Sequence, residues 1–206
     1  MSYVQSRDYL LRSREDKYEY KTTSRNRRKD FFECQIASKC ALHSIHNLLR
    51  TNQIVSERDM NLTAKKISEE SGDMLSNHCS PGGNWSMETI IRVLSDKGYE
   101  TTPAIKSLRD DKIWEVGRMV ALWQTKDVKG FILHEDKLNS QDHFLVLRKG
   151  FAHNSWELVD SIEGIDDINA VTFYNKTMKN YWSAYLVRKS IISICLLYTS
   201  PSPRDH

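Results

Sequence analysis

Gln35-Ile36-Ala37-Ser38-Lys39-Cys40-Ala41-Leu42-His43-Ser44-Ile45-His46-Asn47-Leu48-Leu49 is a polar loop that runs straight into an apolar stripe. Ala41, Leu42, Ile45, Leu48 and Leu49 recur at helical spacing, which predicts a helix with one face on a core and Cys40 at its start. A sulfur placed there meets unpaired backbone N–H groups and the positive end of the helix dipole, both of which favour a thiolate. Gln35 lies five residues earlier. From that position its side-chain amide can reach back over the helix start and, with the Cys40 N–H, hold a tetrahedral oxyanion.

A nucleophilic thiol needs a general base, and His143 fits best because it opens the apolar run His143-Phe144-Leu145-Val146-Leu147 at the edge of a polar turn. His43 and His46 sit on the Cys40 helix itself and cannot fold back across its N-terminus. His78, His134 and His153 lie in loop-like sequence. Asp160 ends the strand-like run Trp156-Glu157-Leu158-Val159, so an antiparallel pairing of the two runs would bring its carboxylate beside the His143 ring. Its bland alternative is an Asp that starts a turn. Cysteine, then histidine, then an acid is the chain order of papain-like hydrolases, in which the third residue orients the histidine. His43 and His46 share a helix face at i, i+3, but no second pair has the spacing of a structural zinc site, so neither a metal nor another cofactor is expected.

Around this constellation the chain divides by composition. Residues 1–30 are almost wholly polar, with a basic cluster at Arg25-Asn26-Arg27-Arg28-Lys29, and read as a disordered arm whose charges are solvated or serve as a nuclear address. Ser56, followed three residues later by Asp59, caps a second helix that ends before Gly72. Residues 72–84 carry the main turn signals and read as a long surface loop. Ser86 caps a third helix, Met87 to Lys97, with Trp85 and Ile90 spaced for a hydrophobic staple and Gly98 as the stop. A short helix near Asp110 to Glu115 is followed by strand patterns at Met119–Trp123, His143–Leu147, Trp156–Val159 and Ala184–Val187. Helices first and strands later indicate an α+β domain with a mostly antiparallel sheet, spanning 31–189. The tail 190–206 breaks with what precedes it, and from about Cys195 onward it reads as non-native sequence.

The 206 residues carry 30 Lys+Arg against 27 Asp+Glu, a net charge of +3 that is too small to imply nucleic-acid binding. No apolar run approaches a membrane span, no signal-peptide core opens the chain, and the four cysteines show neither CxxC pairs nor disulfide density. A cytoplasmic protein with free thiols is expected, with the nucleus as an alternative.

The run Gln35 to Leu49, the segment Gly83-Asn84-Trp85-Ser86-Met87-Glu88-Thr89-Ile90, the strand opened by His143 and the strand ending Asp160-Ser161 together resemble a Josephin domain. That resemblance implies a papain-like cysteine peptidase fold and cleavage of ubiquitin from proteins or polyubiquitin. It gives Cys40 the role of nucleophile, His143 of base, Asp160 of orienting residue and Gln35 of oxyanion residue. Ubiquitin conjugates are the implied partners. Asn84 and Trp85 become substrate-binding candidates at the wall of a narrow cleft, although Trp85 also has the direct structural use of a staple. Two other classes remain open: a papain-like peptidase for another glycine-rich substrate, such as double-glycine leader peptides, and a catalytically silent ubiquitin-binding module.

Overall fold

A computed structural model describes residues 31–80, 82–105, 125–135, 143–150, 155–169 and 183–190. The arm at 1–30, the short helix near Asp110 to Glu115, the strand at Met119–Trp123 and the tail beyond residue 190 lie outside the described residues.

Among the described residues, three helices precede most of the strands. Helix α1, Cys40–Leu49, buries Ala41, Leu42, Ile45 and Leu48, and burying a Leu or Ile side chain contributes about 1.5–3 kcal/mol each. Arg50 ends it in the left-handed conformation. Helix α2, Glu57–Ser71, starts with a full capping box: the Ser56 hydroxyl accepts from the Asp59 N–H, and the Asp59 carboxylate accepts from the Ser56 N–H. Left-handed Gly72 closes it. Helix α3, Met87–Asp96, is capped by the Ser86 hydroxyl, and Trp85 and Ile90 lie in one buried cluster, as a staple requires.

Residues 72–84 are less of a loop than their turn signals suggest. A 3-10 turn, Leu75–Asn77, leads into strand β1, Cys79–Ser80, which pairs with β2, Asn84–Trp85. The remaining strands are β3 (Tyr99–Ile105), β4 (Val128–Glu135), β5 (His143–Lys149), β6 (Trp156–Asp160), β7 (Gly164–Ile168) and β8 (Ser183–Lys189). They form one antiparallel sheet in the order β3-β8-β4-β5-β6-β7. The fold is α+β. Strand β5 is buried without interruption from Phe144 to Arg148, so both of its faces are covered.

Helix α1 packs chiefly on β5, and two polar contacts fix it there. One turn past Cys40, the Ser44 hydroxyl donates to the Phe144 carbonyl at 2.8 Å. At the other end, the buried Arg148 guanidinium donates to the Asn47 carbonyl and, at 2.7 Å, to the Glu157 carboxylate. Cys40 therefore starts a helix whose position is set against the strand that begins with His143.

Candidate active site

Strands β5 and β6 pair with Val146 opposite Val159. Continuing that register by one step sets Asp160 opposite Leu145, so it is a diagonal neighbour of His143, within reach of a long side chain. The two meet: His143 Nε2 lies 3.1 Å from Asp160 Oδ1. The same carboxylate oxygen accepts the Ile162 N–H at 2.7 Å, which fixes its orientation from the turn that follows β6. The His143 ring also hydrogen-bonds to Cys40, so cysteine, imidazole and carboxylate form one connected line.

Burial pushes the His143 pKa down, but the hydrogen bonds to Asp160 and Cys40 outweigh it and raise it to about 9. The ring is therefore an imidazolium at neutral pH. Burial raises the Asp160 pKa, yet its bonds from His143 and the Ile162 N–H bring it below the usual carboxylate value, so the acid stays ionised. Cys40 itself is buried, and its helix begins at Lys39 without any side-chain cap.

Gln35 stands on the loop that enters α1, close to the turn after Asp160. Its backbone N–H donates to the Ser161 carbonyl at 2.8 Å, and its side-chain Oε1 accepts from the Ser161 hydroxyl at 3.0 Å. Its Nε2 donates to the Ala37 carbonyl at 2.6 Å through one of the two N–H groups of that amide. Ala37 adopts a left-handed φ of 55°, which is strained for a residue other than glycine.

Trp85 belongs to the core. Its ring is 1% exposed and Nε1 donates to Asn61 Oδ1 at 3.0 Å, so it does not line an open cleft as a substrate-binding role would require. Its bulk and its staple position before α3 drew it inward. Asn84, half-buried on the same hairpin, remains near the surface. Gly83 is held close beneath it: at φ 92°, a Cβ there would come within 2.9 Å of both Lys39 Cγ and the Trp85 ring. The β1–β2 hairpin therefore abuts the residue just before Cys40.

Three contributors were given no role of their own when the sequence was read. Ser44 and Ser161 fall inside the quoted motif runs, but each bonds a partner 100 or more positions away. Glu33 lies just ahead of the Gln35 loop, and its carboxylate meets His46 Nδ1 at 2.6 Å and His43 Nδ1 at 3.1 Å.

Among the described residues no helix is long and apolar enough to cross a membrane. No family model matches the chain, and no curated protein does. Solved structures do resemble it. The peptidase domain of Streptococcus ComA, a bi-functional ABC transporter involved in a quorum-sensing pathway, is 15% identical, with a TM-score of 0.45 over 78% of this chain and 99% of that domain. A double-glycine-motif protease from an AMS/PCAT transporter, solved with its leader peptide, is 14% identical, with a TM-score of 0.40 over 82% of this chain and 96% of the other. These are resemblances, below the overlap at which two folds are called the same.

Proposed function

We propose that this protein is a papain-like cysteine hydrolase that cleaves isopeptide bonds at the C-terminal glycine of ubiquitin. The observation that carries the reading is the connected line from Cys40 through His143 to Asp160, with His143 held protonated at neutral pH. An imidazole held beside a thiol by a carboxylate is the arrangement that activates a cysteine nucleophile. The Josephin-like pattern of residues around Cys40, His143 and Asp160 supports ubiquitin as the substrate.

In this mechanism the Cys40 sulfur attacks the carbonyl carbon of the terminal glycine, and the carbonyl electrons move onto oxygen. The second N–H of the Gln35 amide and the Cys40 backbone N–H hold that oxyanion. As the intermediate collapses, the carbon–nitrogen bond breaks and His143 gives its proton to the departing lysine amine. A thioester remains. His143, now neutral, takes a proton from water as the water attacks the thioester. Collapse of that second oxyanion releases the ubiquitin carboxylate and returns the sulfur to its paired state. Asp160 keeps the imidazole turned toward the sulfur throughout and stabilises its charged form. Ile36 and Ile162, both exposed and flanking the Gln35–Ser161 contacts, offer apolar surface to the chain that leads into the glycine.

The test is covalent labelling by ubiquitin bearing a thiol-reactive group at its C-terminus, compared between the wild type and Cys40→Ala. Labelling of the wild type alone is expected. A folded wild type that ignores the ubiquitin probe while a small alkylator still modifies Cys40 would overturn the ubiquitin assignment. A double-glycine peptide carrying the same reactive group would then show whether another glycine-rich substrate is taken.

A further inference from the structure

One face of α1 has no part in the chemistry above. His43, His46 and Asn47 are spaced i, i+3, i+4, all are buried, and all bond to the short segment that carries Gln35. Asn47 pairs with the backbone of Glu33 in both directions: Oδ1 accepts the Glu33 N–H at 2.8 Å, and Nδ2 donates to the Glu33 carbonyl at 3.0 Å. His43 Nε2 accepts the Ile36 N–H at 3.2 Å. The Glu33 carboxylate spans both rings, with Oε2 at 2.6 Å from His46 Nδ1 and Oε1 at 3.1 Å from His43 Nδ1.

Counting protons fixes the tautomers. His43 Nε2 is an acceptor, so its proton sits on Nδ1, which lies 3.1 Å from Glu33 Oε1 but off the line of a hydrogen bond. That orientation agrees with burial holding the His43 pKa below its ordinary value, which keeps the ring neutral. His46 Nε2 faces the Val55 carbonyl at 2.7 Å and must donate. Its Nδ1 faces a carboxylate oxygen at hydrogen-bond distance, so one further proton lies between His46 and Glu33. The three side chains also have ligand atoms within 4.8 Å of one another, as a metal site would. A metal would need the Nδ1 lone pair of both rings, and the Ile36 N–H leaves His43 with a proton there. The cluster suits a shared proton better than an ion.

We propose that Glu33 is a positioning residue, whose proton-sharing bond to His46 pins residues 33–36 onto α1 and thereby sets where the Gln35 amide stands over Cys40. Ser161 clamps the same glutamine from the other side. The functional half of this inference rests on Gln35 as the oxyanion residue of a Cys40 hydrolase. The structural half does not.

Two measurements on the full chain separate them. Long-range proton–nitrogen NMR of the wild-type histidines should find His43 neutral with its proton on Nδ1, and a strongly downfield proton between His46 Nδ1 and Glu33. A His43 proton on Nε2 would overturn the proposal, as would histidine signals that move on adding zinc and return on chelation. Neither reading needs a substrate, so both survive a failure of the ubiquitin assignment. Turnover of a ubiquitin C-terminal fluorogenic amide is then compared in Glu33→Gln and His46→Gln, with melting curves to confirm folding. An oxyanion donor is worth about 100- to 1,000-fold in rate, so a misplaced one should lower kcat by roughly 10-fold or more with KM little changed. Alkylation of Cys40 by a small alkylator forms no oxyanion and should be unaffected. In a Gln35→Ala background Glu33→Gln should cause no further loss; an undiminished loss there, or a parallel fall in alkylation, would overturn the positioning role.

Discussion

At the scale of single residues, His143 has opposing influences on its proton. Burial favours the neutral ring, while Asp160 and Cys40 favour the charged one and prevail, bringing the pKa to about 9. Because the folded value lies above the ordinary 6.5, the stabilisation from this ring is complete below about pH 6.5 and is lost as the pH rises through about 9. Activity should follow the same limb, since the leaving amine needs the imidazolium proton: kcat/KM for a ubiquitin C-terminal amide should decline with a midpoint near pH 9. Asp160→Asn keeps an oxygen beside Nε2 but removes the charge, so the midpoint should move toward neutrality and the rate should drop. A limb that stays in place in Asp160→Asn would mean that Asp160 does not support the charged ring. That these residues would stand together was legible in the sequence, because few residue types suit a nucleophile, a base and an orienting acid. Glu33 was not legible, since its use depends on two histidines that approach it only when the loop lies back along α1.

At the scale of elements, the helices were readable and parts of the sheet were not. Ser56, Gly72 and Ser86 are strong punctuation, and the expected starts and stops of α2 and α3 fall at or next to them. Strand β4 was missed because Val128-Lys129-Gly130-Phe131-Ile132-Leu133-His134 does not alternate and its glycine reads as a turn. Gly130 serves close approach instead: a Cβ there would collide with the Leu147 carbonyl on β5. The edge strands β3 and β7 were missed for a different reason. Their exposed residues, such as Thr102, Pro103, Asp166 and Asp167, carry no core pattern, and a proline is tolerated where a strand has a free edge. Of the contacts between elements, the Ser44 hydroxyl bond to Phe144 bears most directly on the site, because it links the turn after Cys40 to the residue after His143. Ser44→Ala would leave a buried carbonyl without this donor, at a cost of about 1–3 kcal/mol. The expected result is a lower melting temperature together with slower labelling of Cys40 by the ubiquitin probe; an unchanged melting temperature would show that the bond contributes nothing to the docking of α1.

At the scale of the molecule, α1 is fixed at its far end by a buried charged network, and the geometry of Cys40 depends on that anchor. Glu157 accepts from Arg148 at 2.7 Å and from Arg50 at 3.0 Å, while Arg148 also donates to the Asn47 carbonyl in the last turn of α1. Arg148 and Glu157 are 1% and 2% exposed, so an uncompensated charge on either would be costly. The two ends of the pair are not equivalent. Arg148→Met leaves Glu157 with Arg50 as a partner, whereas Glu157→Leu leaves the Arg148 guanidinium buried beside α1 without its carboxylate. Glu157→Leu should therefore be the more damaging change, by about 3–5 kcal/mol, with Arg148→Met clearly milder. Urea unfolding of both variants checks the order, and the double variant should be less destabilised than the sum of the two. Arg148→Met has a second consequence: α1 loses a donor at its C-terminal end, where a positive charge is also favoured by the helix dipole. The helix can then shift on β5, and probe labelling at Cys40 should fall more than the loss of stability alone explains. If Arg148→Met proves the more destabilising change, the carboxylate is not what compensates the guanidinium, and the anchoring of α1 must rest on the apolar stripe of Leu42, Ile45 and Leu48 instead.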